Sequence, residues 1–324
     1  MLLAGDVGGT KTLLGLFERS DRRPVPRASY TYATNAYGSF GAILDAFISD
    51  LGGTLSVEGV AIGVAGPVVG NRARLTNVLW DISADDVSAH LNAAPVRLLN
   101  DLEAMAMSID VLTSDDVAVL QEGEPRVDGN AAVIAAGTGL GQAYLHRVGG
   151  RLQPVPSEGG HADFAARTDR EIELVRMLRD LYGRAEVEHV LSGPGILNLH
   201  RFTHRGGQCS VLSGEAVPDT PALVSQAGLT GRCQGCADAL RMFVSAYGAE
   251  AGNLALRGVA TSGLFVGGGI APKILPALTN GSFMEAFVAK PPMDELLAKV
   301  PVKVILCPDA GLIGAAVQAQ ELAP

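Results

Sequence analysis

A short stretch near the start of the chain has the residue types that bind a phosphate group beside a metal ion. Residues 5–10 read GDVGGT, so Asp6 precedes the glycine pair Gly8 and Gly9 and a hydroxyl at Thr10. Glycines have no Cβ, and backbone N–H groups can therefore converge on an anion. Thr10 and Thr12 can add hydroxyl donors, and Asp6 can hold a cation beside the anion. The stretch predicts a phosphate site that needs a metal; the alternative is that its glycines serve only a turn.

Two apolar runs flank this stretch and predict a strand, a tight turn and a returning strand. Residues 131–145 repeat the pattern around the turn Gly137-Thr138-Gly139. A hairpin repeated in each half of a chain suggests a duplicated architecture with a ligand between the halves. A third glycine cluster, Gly267 to Gly269, follows a strand-like run and can let a bulky ligand approach the backbone.

A candidate catalytic acid lies where a strand is predicted to pass into a helix. The apolar run from Val96 to Leu99 leads into Asn100 and Asp101, and Asn100 is a natural helix N-cap. Ligands of α/β proteins bind just beyond the carboxyl ends of strands, at helix N-termini. Asp101 is therefore a candidate for catalysis, although an acid there can also merely complement the helix dipole.

Carboxylates and an imidazole on glycine-rich loops indicate a site for a hydroxylated ligand. Glu158 and His161 belong to one such loop and Glu188 to another, and a carboxylate accepts hydrogen bonds from two hydroxyls. A metal at Glu158 and His161 is the competing interpretation, but no further ligand has suitable spacing.

The cysteines and histidines further along the chain do not form a recognisable functional motif in the sequence. The pair Cys233 and Cys236 resembles half a zinc site without its partner pair, and its helical spacing with Leu240 predicts core packing. His200 and His204, one helical turn apart, are interpreted as a surface pair.

The composition sets the class of protein. A length of 324 residues predicts about two domains, and 48% hydrophobic residues with 40 glycines suit a close-packed α/β protein. A net charge of −9 disfavours nucleic acid or an anionic membrane as a partner. Four cysteines and the lack of any apolar run of membrane length predict a soluble, cytoplasmic protein.

Taken together, the motifs resemble the bacterial glucokinases of the hexokinase and actin-like ATPase superfamily. The resemblance runs nearly end to end and implies a two-domain α/β fold, the actin-like ATPase (ribonuclease H-like) fold with an interdomain cleft. It implies a small domain of residues 1–110 plus 301–324, a large domain of residues 111–300, and a homodimer. The stretches that carry it are residues 5–10, 99–101, 137–141, 158–161, 191–195 and 267–270.

The resemblance also implies roles for single residues in transferring the γ-phosphate of ATP to the 6-hydroxyl of glucose, the entry step of glycolysis. Asp101 is similar in position to the catalytic base of the glucokinases. Because it lies at a predicted helix N-terminus, its pKa is expected to be lowered. Asp6 is similar to the acid that binds Mg²⁺ through water. The implied glucose ligands, besides Asp101, are Asn100, Glu158, His161 and Glu188. The implied ATP-binding residues, besides Asp6, are Gly8, Gly9, Thr10, Thr138, Gly139, Gly268 and Gly269.

Lys11 departs from the glucokinase pattern, which often has Asn at this position. In this respect the chain resembles the repressor/ORF/kinase group, where a lysine is usual there. That group typically bears a Cys-rich zinc motif after its Glu-x-Gly-His segment, and none follows His161. A kinase for another hexose or an N-acetylhexosamine stays the alternative. A sugar-sensing repressor is expected to need a DNA-binding domain before the first strand, and an actin-like structural ATPase is expected to lack the sugar loops.

Overall fold

The computed structural model describes residues 1–75, 78, 80–91, 94–205, 207–212 and 220–323. The strands are β1 (Leu2–Val7), β2 (Lys11–Glu18), β3 (Val25–Ala33), β4 (Gly59–Val64), β5 (Val68–Val69), β6 (Arg72–Arg74), β7 (Asp81–Ser83), β8 (Val96–Asn100), β9 (Val117–Gln121), β10 (Ala131–Ala136), β11 (Leu140–Val148), β12 (Arg151–Ser157), β13 (Gly263–Gly267) and β14 (Val302–Ile305). The helices are α1 (Phe40–Asp50), α2 (Ala84–His90), α3 (Asp101–Met107), α4 (Asp169–Tyr182), α5 (Gly193–Thr203), α6 (Thr220–Leu229), α7 (Gln234–Gly258), α8 (Leu275–Leu278), α9 (Ser282–Val288), α10 (Asp294–Leu297) and α11 (Ala310–Leu322).

The chain divides into two compact units. The first contains Met1–Thr113, Leu152–Pro154 and the chain from Cys307 onward, and the second contains Ser114–Arg151 and Val155–Leu306. The chain returns to the first unit only at Cys307, later than the expected residue 301. The reason is that β14 is hydrogen-bonded between β13 and β9 in the sheet of the second unit.

The first unit is built on a five-stranded sheet in the order β3-β2-β1-β4-β8. The predicted first hairpin is confirmed, since β1 pairs antiparallel with β2, and β1 also pairs parallel with β4. All of β4 and nearly all of β1 are buried, as expected of central strands that are covered on both faces. Apolar residues of α1 pack on one side of the sheet, and α11 covers Leu2, Ala4 and Ala61.

The second unit is built on a six-stranded sheet in the order β12-β11-β10-β13-β14-β9. The predicted second hairpin is also confirmed, because β10 pairs antiparallel with β11 and parallel with β13. Each unit therefore contains a hairpin beside a parallel strand. The long helix α7 packs in the core of this unit, where the Tyr247 hydroxyl accepts a hydrogen bond from Ala136 N–H (3.2 Å). None of the described helices combines the length and apolar character needed to cross a bilayer.

Candidate active site

The first glycine turn connects β1 to β2 in the first unit. Gly8 N–H donates to the Lys11 carbonyl (2.9 Å), and the Thr10 side chain is exposed. Thr12 is fully buried; its hydroxyl lies 2.8 Å from that of Thr34, which donates to the Gly8 carbonyl (2.8 Å). The prediction that Thr12 supplies a donor to a ligand is therefore wrong. Its hydroxyl is used inside the protein to support the turn.

Asp6 lies at the end of β1 in an environment with an excess of negative charge. Burial is the main cause that raises its pKa to about 6, and the charges of Asp101 and Asp309 add to the effect while Lys11 opposes it. The start of α11 approaches closely, since a Cβ added to Gly311 would lie 3.1 Å from Asp6 Oδ2. Neighbouring carboxylates with one opposing lysine fit a hard cation such as Mg²⁺, which prefers oxygen ligands.

Asp309 and Gly311 were not predicted from the sequence as site residues. Asp309 is exposed directly before α11, and in the sequence it is an acid followed by two small residues after a predicted strand. The same pattern of strand, acid and helix occurs at Asp101. That pattern is the signal in the sequence that could have identified Asp309. Its proximity to Asp6, which lies about 300 positions earlier in the chain, could not have been predicted from it.

Asp101 is the first residue of α3 and directly follows β8. The prediction that Asn100 caps this helix is confirmed, because Asn100 Oδ1 accepts from Leu102 N–H (2.9 Å). Asp101 Oδ1 accepts from the same N–H group (2.9 Å). The Asp101 side chain reaches solvent, but the surrounding protein removes part of the water from its carboxyl, and this desolvation raises the pKa above the usual aspartate value. The expectation of a lowered pKa is wrong, because desolvation outweighs the backbone hydrogen bonds that favour the charged form.

Backbone hydrogen bonds hold the two carboxylate loops of the second unit together. His161 N–H donates to the Glu158 carbonyl (3.0 Å), and Glu188 N–H donates to the Gly160 carbonyl (2.9 Å). A Cβ at Gly160 would lie 2.2 Å from the Leu140 carbonyl oxygen, so this position needs glycine to approach β11. The loops that carry Glu158, His161 and Glu188 are thus parts of one local structure.

An additional carboxylate holds the imidazole of His161. His161 Nδ1 lies 2.8 Å from Glu186 Oε2, and Arg184 lies 3.5 Å from the other Glu186 oxygen. The hydrogen bond to Glu186 is the main cause that raises the pKa of His161, with Glu188, Glu186 and Glu158 adding negative charge. Glu186 was not predicted from the sequence as a site residue; its only signal is its position two residues before Glu188.

Glu188 connects the loops to the second glycine hairpin. Its Oε2 accepts from Leu140 N–H (2.8 Å), and a Cβ added to Gly139 would lie 2.6 Å from the same oxygen. The absence of a side chain at Gly139 therefore makes room for the Glu188 carboxylate. No described residue donates a hydrogen bond to Glu188 Oε1, which leaves that oxygen for a ligand.

A cavity of about 860 Å³ in the second unit is large enough for a nucleoside. Of the predicted ATP-binding residues of this unit, Thr138 and Gly269 line it, whereas Gly139 and Gly268 do not. Gly268 has a φ of +84°, and an added Cβ would lie 2.3 Å from the Ala136 carbonyl oxygen, so it shapes the turn behind the wall. Residues of α6 were not predicted, since no motif marks that helix. The lining residues are Gly137, Thr138, Gly193, Pro194, Ile196, Leu197, Pro221, Ala222, Ser225, Gln226, Gly269, Ile270, Lys273 and Ile274.

Known proteins match this chain in sequence and in structure along nearly its whole length. The glucokinase family model matches residues 3–322. The chain is 40% identical to the glucokinase of Synechocystis sp. over 98% of both chains. It superposes on the crystal structure of a glucokinase from an Antarctic psychrotroph with a TM-score of 0.88 and 30% identity, covering 99% of this chain and 98% of the other. A repressor/ORF/kinase (ROK) family glucokinase from Streptomyces griseus, solved with glucose and AMPPNP, has the same fold at a TM-score of 0.62 and 20% identity, with 99% of each chain covered.

Proposed function

Because the chain belongs to the glucokinase family, we propose that it transfers the γ-phosphate of ATP to the 6-hydroxyl of D-glucose with Asp101 as the general base. The fold is that of the two-domain actin-like ATPases, and the activity of the family is that of an ATP-dependent hexokinase-type phosphotransferase. The observation that carries the assignment of the base is the place of Asp101 directly after β8, at the start of α3, with a raised pKa.

Phosphoryl transfer passes through a loose transition state, so the protein chiefly positions the reactants and neutralises charge. The hydrogen bond from Leu102 N–H to Asp101 Oδ1 supports an orientation that leaves Oδ2 for a sugar hydroxyl. A raised pKa makes Asp101 a stronger base than an ordinary aspartate. Asp101 would orient the 6-hydroxyl and accept its proton as the new bond to phosphorus forms.

The carboxylate loops of the second unit would bind the other sugar hydroxyls. Glu158 is exposed, Glu188 has Oε1 available, and Glu186 holds Nδ1 of His161, which leaves Nε2 for the sugar. Carboxylates accept hydrogen bonds from hydroxyls, and bonds to charged groups are the stronger ones. This arrangement favours a polyhydroxylated ligand such as a hexose.

ATP would place its adenosine in the 860 Å³ cavity, beside Thr138 and Gly269. The glycine turns would supply backbone donors for its phosphates from Gly9 and Thr10 in the first unit and from Thr138 and Gly139 in the second. Gly8, whose N–H donates to the Lys11 carbonyl, would shape the first turn. Asp6, with Asp101 and Asp309 nearby, would hold Mg²⁺, which supplies positive charge to the phosphate oxygens when it is bound. The positive charge of Lys11 acts on the same acid.

A coupled assay of ADP release tests the substrate. It is run with glucose, mannose, fructose, galactose and N-acetylglucosamine at matched concentrations. We expect the highest kcat/KM with glucose, because the three carboxylate-loop residues are those of the glucokinase pattern. A clear preference for N-acetylglucosamine would replace the proposal with the alternative of an N-acetylhexosamine kinase.

Asp101→Asn tests the base, because the amide keeps the size of the side chain but cannot accept the proton. We expect kcat to fall by about 10²–10⁴-fold, while ATP binding measured by calorimetry stays unchanged. Asp86→Asn, an exposed acid in the first turn of α2, is the matched control and should keep the wild-type rate. Near-normal turnover of Asp101→Asn would exclude this role.

Glu158→Gln tests the sugar loops. Loss of a hydrogen bond to a charged acceptor costs about 1.5–3 kcal/mol, so we expect KM for glucose to rise about tenfold or more with little change in KM for ATP. Glu173→Gln on the exposed side of α4 is the control. A rise confined to KM for ATP would show that Glu158 belongs to the nucleotide site and not to the sugar site.

The family resemblance also supports a homodimer that works in the cytoplasm, where ATP is available. Sedimentation velocity at several protein concentrations tests the homodimer, and a monomer at every concentration would contradict it. Fractionation of cells that produce the protein tests its location.

A further inference from the structure

A group of cysteine and histidine side chains in the second unit takes no part in the proposed reaction. His200 and His204 lie at the end of α5, and Cys233 and Cys236 lie at the start of α7. Cys209, from the segment between α5 and α6, meets both cysteines. The prediction that Cys233 and Cys236 pack in the core is confirmed, but the sequence did not reveal that a third sulfur joins them from a position 24 residues before Cys233.

The distances between the sulfur atoms fit two thiolates on one metal ion. Cys209 Sγ lies 3.7 Å from Cys236 Sγ and 3.8 Å from Cys233 Sγ. The sulfurs of a disulfide are only about 2.05 Å apart. Two Zn–S bonds of about 2.3 Å at a tetrahedral angle place their sulfurs ~3.8 Å apart. The separation between Cys209 and Cys236 therefore corresponds to an edge of a zinc tetrahedron.

The two imidazoles supply nitrogen donors at the same place. One ligand atom from each of His200, His204, Cys209 and Cys236 lies within 4.8 Å of every other, and no second cluster of three or more potential metal ligands occurs among the described residues. His204 Nδ1 lies 2.9 Å from the His200 carbonyl oxygen, which places the proton on Nδ1 and makes Nε2 the acceptor. Nε2 lies 3.2 Å from Cys233 Sγ, and a metal bond would replace this contact. His200 Nε2 is buried and has no hydrogen-bond partner among the described residues, a costly arrangement that a metal bond would remove.

The surrounding backbone is shaped to hold the His204 ring in place. A Cβ added to Gly235 would lie 2.5 Å from both Cε1 and Nε2 of His204, so the imidazole occupies the space that a side chain would fill. Thr203 Oγ1 donates to the Gly235 carbonyl (2.8 Å) and joins the end of α5 to the start of α7. The cluster is thus supported from both helices.

We propose that His200, His204, Cys209 and Cys236 bind a structural Zn²⁺ ion in a tetrahedral site, with Cys233 packed beside it. A mixed set of two sulfurs and two nitrogens is typical of zinc, and four protein ligands close the site to substrate. Binding releases the two thiol protons, so the charge of the ion is balanced by two thiolates. The ion would fasten the segment around Cys209 to α5, one of the helices that line the cavity.

Metal analysis of the full chain tests the proposal. The protein is produced in zinc-supplemented medium and purified with a phosphine reductant and without chelator, and zinc is measured by mass spectrometry against protein concentration. We expect one zinc per chain in the wild type and almost none in Cys209→Ser. Cys307→Ser, which changes the cysteine of the first unit, is the matched control and should keep its zinc.

A second variant keeps every ligand. Gly235→Ala should favour the helix by intrinsic propensity, yet it should weaken zinc binding because the methyl group displaces His204. Competition with a chromophoric chelator measures this loss of affinity, and Co²⁺ loaded into the wild type should show the absorption of tetrahedral thiolate coordination. The proposal is overturned by a wild-type protein without zinc or by zinc retained in Cys209→Ser.

Discussion

Asp6 shows how the fold changes the chemistry of a single side chain. Burial, Asp101 and Asp309 all act against its charge, and only Lys11 acts in favour of it. The pKa of an isolated aspartate lies far below neutral pH, whereas the pKa of Asp6 is about 6 in the protein without metal. The side chains that surround it therefore make its charge, and with it the hold on a cation, sensitive to mildly acidic pH.

We predict that the Mg²⁺ concentration for half-maximal rate rises as the pH falls through about 6. Below that pH Asp6 carries a proton and loses the charge that attracts the ion. Mg²⁺ titrations at saturating glucose and ATP on both sides of this pH measure the effect. Protonation of ATP affects every variant equally, so Asp6→Asn should need more Mg²⁺ throughout and should lack the extra pH dependence of the wild type. Identical pH profiles for the two proteins would contradict the assignment.

Glu186 likewise changes the pKa of a single side chain, that of His161. Its carboxylate raises the pKa of the imidazole, so removal of that charge should lower it towards the ordinary histidine value. We predict that Glu186→Gln makes His161 titrate at lower pH and raises KM for glucose, because the ring loses its strongest orienting contact. NMR titration of the imidazole nitrogens measures the first effect. Glu173→Gln should leave the His161 titration unchanged, and an unchanged titration in Glu186→Gln would exclude this role for the carboxylate.

At the level of elements, the third glycine cluster contains a close approach that a side chain would prevent. Gly268 follows β13 with a φ of +84° and lies against the Ala136 carbonyl at the end of β10. Two neighbouring parallel strands thus end close together, and the next residue, Gly269, lines the cavity. The position of the cavity wall therefore depends on the backbone at Gly268.

We predict that Gly268→Ala lowers the free energy of unfolding by about 1–3 kcal/mol and raises KM for ATP. The added methyl group would meet the Ala136 carbonyl, and the backbone would be strained in the left-handed region. Gly269→Ala is the matched control for stability, because its φ is outside that region and nothing lies within 4 Å of the added Cβ. Urea unfolding followed by circular dichroism compares the two variants; equal stabilities would show that the turn tolerates a side chain.

At the scale of the molecule, the two ends of the chain belong to one unit. α11 packs Leu312, Ala315, Ala316 and Ala319 against the sheet that begins with Leu2, and Ser20 N–H donates to Gln320 across 300 residues of sequence. Small residues permit this close packing. A Cβ at Gly314 would lie 1.7 Å from the Ala104 carbonyl oxygen, and a Cβ at Gly59 would lie 2.2 Å from that of Ala319.

We predict that Gly314→Ala destabilises the first unit by at least about 1–3 kcal/mol, since α11 must move away from α3 to accommodate the methyl group. Calorimetry should show a lower unfolding temperature, with the transition of the second unit unaffected if the two transitions are resolved. Gly38→Ala, where nothing lies within 4 Å of the added Cβ, is the control in the same unit. Wild-type stability of Gly314→Ala would mean that the contact between α11 and α3 is looser than described.

Features that depend on residues close together in the chain could be predicted from the amino-acid sequence. Apolar runs around glycine pairs specify both hairpins, an asparagine at the right position specifies the cap of α3, and the order of the motifs identifies the family. Turn geometry and capping are local interactions, and for that reason a single sequence reveals them.

The tertiary structure was needed for the features that depend on burial or on contacts between distant positions. It places β14 in the sheet of the second unit, turns the Thr12 hydroxyl inward, and raises the pKa of Asp101 by desolvation. It also brings Cys209 to Cys236 and Asp309 to Asp6. Solvent exclusion and the meeting of distant residues result from the packing of the whole unit, which no local pattern encodes.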